Sequence, residues 1–252
     1  MISRQTVMET LDDWLEPQLI KDYCPNGLQV EGCESIERVV VGVTASRALL
    51  EAAVAKGAQA VIVHHGLYWK GDDPRCVGLL RGRLLPLIQH NVNLFAYHLP
   101  LDIHVSLGNN AQLAEKLNWS VDESFSVDGI PNLLWLGRDE SRNTLADIVS
   151  ALRITLGQAP LVLGPEPKRI ARIAWCTGGA QRYLPQAKAA GADLFVTGEA
   201  SEQTHHMAHE LNITCIAAGH HATERYGVQA LGDRLAKQFD LICEYVEIEN
   251  PV

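Results

Sequence analysis

The chain has 252 residues, of which 47% are apolar and 20% charged, and this is ordinary for one large α/β domain or two smaller lobes. Its formal net charge is -9 and it has no long run of Lys and Arg, which argues against a surface for nucleic acid. It shows neither the apolar core of a signal peptide nor a stretch approaching the roughly 18 apolar residues of a membrane span. We therefore expect a cytoplasmic protein whose six cysteines are reduced.

Short apolar runs alternate with amphipathic segments along most of the chain. In chain order we predict a helix at 7–15, strand 39–43, a helix that Thr44-Ala45-Ser46 caps and Gly57 ends, strand 60–63, a helix within 77–90 that contains Pro86, strand 93–97, helix 109–117, strand 133–136, helix 144–156, strand 170–176, helix 181–190, strand 194–197, a helix near 200–211, strand 213–218, helix 222–239 and strand 241–248. This alternation predicts an α/β protein with mainly parallel sheets. We assign 1–124 to a first α/β lobe, 125–168 to a connecting segment and 169–252 to a second lobe.

Two adjacent histidines follow the strand at 60–63. His64 and His65 come directly after a run of four apolar residues that lies between Gly57 and Gly66. A parallel strand delivers such residues to its carboxyl end, where ligands of open α/β sheets gather. Imidazole is the commonest protein ligand of divalent transition metals, so the pair is a candidate metal site. The alternative is that two polar residues simply end a strand.

The two ends of the chain resemble each other, which suggests a duplication. The turn Gly57-Ala58-Gln59 matches Gly191-Ala192-Asp193, and the strand at 92–98 matches 213–220 with a shift of one residue. In this register His98 falls on His220, and Asp102 falls on Glu224. Each half therefore has a histidine after a strand and a carboxylate four residues later. Any two βα units share glycine turns and apolar strands, so the strand match alone carries little weight.

These features define a candidate set of nitrogen and oxygen ligands without a thiolate: His64, His65, Asp102, His220 and Glu224. Five ligands exceed the three protein ligands that a single catalytic zinc needs, and they suit two divalent ions such as Zn, Fe, Mn or Co. Each residue also has an ordinary structural explanation. Asp102 could cap a loop, Glu224 could pair with Arg225, and His220 could be a hydrogen-bonded residue.

Further histidines and one glutamate lie near the same predicted strand ends. Glu199, in Thr197-Gly198-Glu199, is a candidate general base or a residue that supports the ligands, and His98 is a candidate proton shuttle. His221 is a weaker candidate. The cluster His205, His206 and His209 has no matching carboxylate and is predicted to form a solvated helix face. The sequence has neither a G-x-S-x-G elbow nor a Walker-type phosphate loop, and Thr177-Gly178-Gly179 is too short a turn to establish a phosphate site.

Six motifs in order resemble the GTP cyclohydrolase I type 2 homologues, the Ngg-interacting-factor-like family, in its short bacterial form. They are Asn26-Gly27-Leu28-Gln29-Val30, Gly42-Val43-Thr44-Ala45-Ser46, Val63-His64-His65-Gly66, Tyr97-His98-Leu99-Pro100-Leu101-Asp102, Thr197-Gly198-Glu199 and Gly219-His220-His221-Ala222-Thr223-Glu224-Arg225. The resemblance implies two similar α/β lobes with a dinuclear metal site in the crevice between them. It also implies a toroidal homohexamer, a trimer of dimers. By position it implies His64, His65, Asp102, His220 and Glu224 as the metal ligands, with Glu224 bridging.

Two functions remain open at the level of sequence. The family name implies a metal-dependent hydrolase that opens the purine ring of a nucleotide with activated water, and the same water could instead attack an amide-like carbon or a phosphoryl centre. The alternative is a non-catalytic, metal-dependent assembly or adaptor protein. The sequence names neither the metal nor the substrate.

Overall fold

The chain forms two compact α/β units in the computed structural model, which describes residues 1–142 and 144–252. The first unit comprises Met1–Leu101 and Gly227–Glu249, and the second comprises Asp102–Tyr226 and Asn250–Val252. This confirms the predicted two-lobe α/β fold. The sequence-based division at residues 124 and 168 follows the order of the chain, whereas each of these units combines two separate segments.

The first unit is organised by a five-stranded sheet in the order β13-β4-β5-β6-β2. Its elements are β1 (Ile2–Ser3), α1 (Arg4–Leu15), β2 (Gly27–Val30), β3 (Ser35–Ile36), β4 (Arg38–Thr44), α2 (Arg47–Ala55), β5 (Ala60–His65), α3 (Gly78–Gln89), β6 (Asn93–Ala96), most of α4 (Leu99–Asp102), the later part of α9 (His220–Phe239) and β13 (Ile242–Tyr245). Strands β13, β4, β5 and β6 pair in parallel, and β2 pairs antiparallel with β6.

Apolar residues explain why the central strands of this sheet are buried. Strand β5 buries its four apolar residues completely, and its core contacts include Leu49, Leu50 and Leu87 from helices α2 and α3. The cap predicted for α2 is present, since Ser46 accepts a hydrogen bond from the backbone N–H of Leu49. Gly57 then has φ +68, the left-handed conformation that commonly ends a helix. The Ser46 cap and Gly57 together set the length of α2, and they therefore set where β5 begins and where its histidines lie.

The buried side chain of Asn93, the first residue of β6, ties a loop to this sheet. Its Oδ1 accepts from the backbone N–H of Gly32 at 2.8 Å, and its Nδ2 donates to the carbonyls of Cys33 at 2.8 Å and Gln59 at 3.0 Å. Asn93 is fully buried, so water cannot replace these partners.

Substitution Asn93→Leu should destabilise the protein by about 3 kcal/mol, because a side chain of similar size would leave buried backbone groups without partners. Urea denaturation monitored by circular dichroism measures this change. Gln5→Leu is the control, since the Gln5 side-chain amide bonds to exposed Glu9 on α1, and its effect should stay within about 0.5 kcal/mol. Equal midpoints for the two variants would contradict the role given to Asn93.

The second unit is built around a six-stranded mixed sheet in the order β7-β8-β10-β11-β12-β9. Its elements are the end of α4, α5 (Asn109–Leu117), β7 (Ser120–Val127), β8 (Ile130–Arg138), α6 (Leu145–Leu156), β9 (Leu161–Leu163), β10 (Ile173–Trp175), α7 (Leu184–Ala189), β11 (Leu194–Thr197), α8 (Glu202–Glu210), β12 (Thr214–Ala217) and the start of α9. Strands β10, β11 and β12 are parallel neighbours, and the other three pairings are antiparallel. Trp175 packs at the centre of this core, with Trp119 and Trp135 at ring distances of 5.2 and 6.0 Å.

The structure differs from the sequence-based expectation in three places. The segment 125–168, expected to be a connecting insertion, supplies β8 and β9 to the sheet of the second unit. A proline at position 100 disfavours a regular helix from the sequence alone, yet Pro100 lies in the first turn of the short α4, where a missing N–H costs nothing. His220 and His221, expected to precede α9, are its first two residues.

Two further observations concern the cysteines and the helices. All six cysteines are free thiols, and Cys176 and Cys215 are buried. Within the described residues, no helix combines the length and apolar composition needed to cross a membrane.

Candidate metal site

Three histidines form a compact cluster at the carboxyl ends of β5 and β6 in the first unit. One ring nitrogen from each of His64, His65 and His98 lies within 4.8 Å of the other two. His64 is completely buried, His98 is almost so, and His65 is half-buried. The sheet explains this convergence, because β5 and β6 are parallel neighbours whose ends lie side by side.

Hydrogen bonds orient both histidines of β5. The Nδ1 of His64 lies 3.0 Å from the carbonyl oxygen of Tyr97, and the Nδ1 of His65 lies 3.0 Å from the hydroxyl of Thr44. A carbonyl can only accept, so Nδ1 of His64 carries a proton. A backbone or side-chain partner at one ring nitrogen is the usual way in which a protein orients a metal-binding histidine.

A carboxylate that the sequence analysis did not identify holds His98. Asp22 lies 3.0 Å from the Nδ1 of His98, and it also accepts from the backbone N–H of Leu99 and the side-chain amide of Asn26, each at 3.0 Å. Asn26 in turn accepts from the backbone N–H of His98 at 2.7 Å. Burial alone would raise the pKa of Asp22, but its hydrogen bond to His98 and the charge of His98 outweigh burial and lower the pKa to about 2.

In the second unit, Glu224 lies close to Asp102 and also close to His220. A carboxylate oxygen of Asp102 lies within 4.8 Å of one from Glu224, and Glu224 Oε2 lies 3.0 Å from the Nε2 of His220. The two carboxylates belong to residues only 6% and 3% exposed. His220 and Glu224 share one face of α9 because they are four residues apart in its first turns. Asn109 donates to Asp102 at 2.8 Å and so fixes one of its oxygens.

Glu199 orients His220 in the same way that Asp22 orients His98. Glu199 follows β11 and lies 2.6 Å from the Nδ1 of His220. Burial would lower the pKa of His220, but the charge and hydrogen bond of Glu224, together with Glu199, raise it to about 10. In this form the imidazole carries both protons, and it has to release the Nε2 proton before that nitrogen can bind a metal ion.

A glycine makes room for Glu224. Gly178 has φ +69, and a Cβ atom there would overlap Glu224 Oε1 and would lie 3.1 Å from His220 Nε2. The turn itself is fixed by Thr223, whose hydroxyl accepts from the Gly178 N–H at 3.1 Å. The glycine turn at 177–179 therefore serves the carboxylate of Glu224, a role that the sequence analysis did not assign to it.

The donor chemistry of the two groups fits a divalent metal with nitrogen and oxygen ligands. Two buried carboxylates within 4.8 Å repel each other, and a cation is the usual means of stabilising such a pair. The nearby thiol does not compete, because burial and then the charges of Asp102 and Glu224 raise the pKa of Cys176 well above its usual range. Histidine and carboxylate groups that could hold a metal ion, as expected from the sequence, are therefore present among the described residues.

The other candidate histidines of the sequence lie in two different environments. His205, His206 and His209 lie exposed on α8, as predicted for a solvated face. His221 is buried, and its backbone N–H donates to the carbonyl of Val252 at 2.9 Å. Glu199 lies beside His220, and His98 lies beside His64 and His65. Their roles in proton transfer stay predictions.

Taken together, the fold and these groups define a two-unit α/β protein with possible metal-binding clusters. A family model described as Duf34/NIF3 (NGG1p interacting factor 3) matches residues 2–251. The chain belongs to this Duf34/NIF3 family.

Proteins similar to this chain span its whole length. One from Pseudomonas aeruginosa is 49% identical over 250 residues, covering 99% of each chain, and one from Escherichia coli K12 is 45% identical, covering 98% of this chain and 99% of the other. Both carry the name GTP cyclohydrolase 1 type 2 homolog. Among solved structures, one described as protein ybgI of unknown function has a TM-score of 0.94 and 43% identity over the full length of both chains. A protein from Thermus thermophilus has a TM-score of 0.88 and 33% identity, again over both full lengths.

Proposed function

We propose that this protein is a cytoplasmic metal-dependent hydrolase in which His64, His65, Asp102, His220 and Glu224 hold two divalent ions. The observation that carries the proposal is the pair of buried carboxylates, Asp102 and Glu224, within 4.8 Å of each other. The side chains of His64, His65 and His220 each have a partner at Nδ1, which orients the rings in the way usual for metal-binding histidines and supports the proposal. Bound divalent ions would supply Lewis-acid activation of water at neutral pH.

The chain's own residues supply orientation and proton handling. Asp22 and Glu199 each fix a ring nitrogen of a histidine, so that neither imidazole has to be ordered during the reaction. His98 lies within reach of the His64–His65 pair without being needed as a ligand, and its ring is held by Asp22 on one side. We assign His98, and secondarily Glu199, to the transfer of protons to or from the substrate.

The name shared by the relatives suggests the substrate class. They are called homologues of GTP cyclohydrolase 1 type 2, and this supports water-dependent opening of the purine ring of a nucleotide as the reaction. The net charge of -9 opposes a nucleic-acid substrate. A free nucleotide is therefore the substrate that we propose.

The test begins with elemental analysis of protein purified without added metal. We expect close to two divalent ions per chain, and release of formate when this protein is incubated with members of a panel of purine nucleotides. Chelation should abolish the release, and returning the metal should restore it, with circular dichroism confirming that the fold survives chelation. Metal-free protein as isolated, or turnover that is unchanged by chelation, would refute the proposal.

A non-catalytic assembly protein is the second candidate, and one observation favours it. Val77, Leu79 and Ile88, on or beside α3, are 57%, 71% and 63% exposed, which is unusual for large apolar side chains in one short region. We propose that such surfaces assemble the chain into a homohexamer, a trimer of dimers. Light scattering before and after chelation distinguishes the candidates: a hexamer that dissociates on chelation, without turnover on any nucleotide, favours the assembly function.

A further inference from the structure

A cavity of about 320 Å³ lies in the first unit beside the histidine cluster. Its walls come from the segment that follows the histidines and from helix α3. The lining includes Leu67, Tyr68, Trp69, Leu80 and Arg83. Its size lies at the lower end of the range for small-molecule sites, which are typically about 300–1,000 Å³. None of the metal-ligand assignments involves these residues.

The aromatic wall of the cavity adjoins the histidines. The Trp69 ring lies 5.8 Å from the His65 ring and 5.1 Å from the His98 ring, the second in an edge-on arrangement. Trp69 and Tyr68 are both half-buried, so each keeps part of its ring open to a ligand. A planar ring held against this wall would therefore lie next to the His65–His98 side of the cluster.

Hydrogen bonds to two other segments hold this wall in place. The backbone N–H of Leu67 donates to the side-chain oxygen of Gln29 at 2.8 Å, and the N–H of Lys70 donates to the carbonyl of Tyr23 at 2.9 Å. Gly66 packs so closely on Gln29 that a Cβ atom there would overlap the Gln29 side-chain amide. A wall that is already fixed loses little conformational entropy when a ligand binds.

Arg83, in the lining of the cavity, has a buried hydrogen-bond donor without a partner in the described part of the chain. The Nε of Arg83 is buried and has no hydrogen-bond partner among residues 1–142 and 144–252. Arg75, in contrast, is engaged by Asp73 through contacts of 2.5 to 2.9 Å, so these two charges compensate each other. Asp72 is exposed at the lining and is the remaining carboxylate there. Arg83 is thus the group in the lining that gains most from an anionic partner, since a buried donor without a partner is costly.

We propose that this cavity is a substrate-recognition site for a planar aromatic ring that carries an anionic group. The ring packs against Tyr68, Trp69 and Leu80, and the anionic group binds Arg83. The inference rests on the proposed function in one respect, because it takes the molecule bound in the cavity to be the substrate of the metal site. The binding step itself requires no turnover, so the two can fail separately.

Three probes separate the ring from the charge. Guanosine 5′-monophosphate carries both, guanosine carries the ring alone, and inorganic phosphate carries the anion alone. Binding to the protein as purified is measured by calorimetry and by quenching of tryptophan fluorescence. We expect guanosine monophosphate to bind at least about tenfold more tightly than either of the others, the gain expected from one charge-assisted hydrogen bond.

Arg83→Gln should reduce the affinity for guanosine monophosphate about tenfold and leave the affinity for guanosine within about twofold. Arg81→Gln is the matched control, because Arg81 lies exposed on the same helix and does not line the cavity. Arg83→Lys, which keeps the charge and loses the guanidinium, should give an intermediate affinity and serves if the glutamine variant does not fold. Equal loss in the Arg81 and Arg83 variants, equal binding of all three probes, or no binding of any would overturn the proposal.

A Glu224→Gln protein separates this inference from the proposed function. Guanosine monophosphate that binds Glu224→Gln normally, while formate release is lost, supports both the site and the hydrolase. Binding that depends on Arg83 in a protein that never releases formate from any nucleotide supports the site and refutes the hydrolase. Formate release that Arg83→Gln leaves unchanged in KM and kcat refutes the site as the place where substrate is recognised.

Discussion

Gly178→Ala should lower the affinity for divalent metal about 100-fold while the protein stays folded. The added methyl group would overlap Glu224 Oε1, far inside van der Waals contact, so the buried carboxylate has to leave its position. Displacing a ligand that the surroundings no longer support typically costs about 10- to 100-fold in metal affinity. Calorimetric titration with zinc, together with elemental analysis of the isolated variant, measures the effect.

Gly157→Ala provides the matched control. Gly157 also has a left-handed backbone, with φ +77, but a Cβ there would meet no atom within 4 Å. Both variants therefore carry the conformational cost of alanine at positive φ, about 1–2 kcal/mol, and only one of them touches the carboxylate. Metal affinity that falls equally in both would show that general destabilisation, and not the position of Glu224, is responsible.

Asp22→Asn should reduce turnover about 100-fold and destabilise the protein by about 2–3 kcal/mol. An amide offers one accepting oxygen where the carboxylate of Asp22 accepts from four partners, and its NH₂ group would face donors. His98 then loses the partner that fixes its tautomer and its ring orientation. We expect kcat to fall more than KM, because His98 is assigned to proton transfer and not to binding.

The control for this variant is Asp122→Asn. Asp122 pairs with Arg138 on the surface at 2.7 Å, and exposed pairs of this kind contribute about 0–1 kcal/mol. Turnover should be unchanged in that protein. An Asp22→Asn enzyme with normal kcat and lowered stability would show that Asp22 serves the fold alone.

Acid unfolding gives an independent measurement of the same carboxylate. The pKa of Asp22 is about 2 in the folded protein and about 3.9 in an unfolded chain, so ionised Asp22 stabilises the fold above pH ~4. This contribution, on the order of 1–2 kcal/mol after allowance for solvent screening, is lost as the pH falls from ~4 to ~2. Urea titrations at pH 7, 4 and 3 should show a steeper decline for the wild type than for Asp22→Asn.

The order of strands and helices could be predicted because apolar runs and turn signals are local properties of the sequence. Ser46 and Thr144 cap α2 and α6 as a reader of the sequence would expect, and β5 ends at the two histidines. The start of α9 was harder to predict, since Gly219 before two histidines resembles a loop. Gly219 is in fact the glycine with φ +102 that allows the turn from β12 into the helix.

The groups that support the ligands could not be predicted from local patterns. Asn26 looks like a turn residue in Pro25-Asn26-Gly27, yet it bonds to the backbone of His98, which is 72 residues away in the sequence. Asp22 and Gln29 likewise find their partners through the pairing of β2 with β6, a long-range antiparallel contact. The type and spacing of these residues do not indicate their partners unless the pairing of the strands is known. Asn26 and Gln29 belong to one of the motifs that carry the family resemblance. The structure shows that they bond to the backbone of His98 and of Leu67.

Hydrogen bonds already fix the imidazole rings of His64, His65 and His220, and under the proposed function this bears on which element the protein would carry in a cell. A donor set of nitrogen and oxygen atoms follows the general stability series of first-row metals, so its order of affinities does not by itself select one ion in a cell, and metal availability contributes to the choice. Rotationally fixed rings impose spacing but do not reject an ion of similar radius. Under the proposed function the bound ion would then reflect cellular supply, and the same polypeptide produced in iron-rich and zinc-rich media should be isolated with different metal contents.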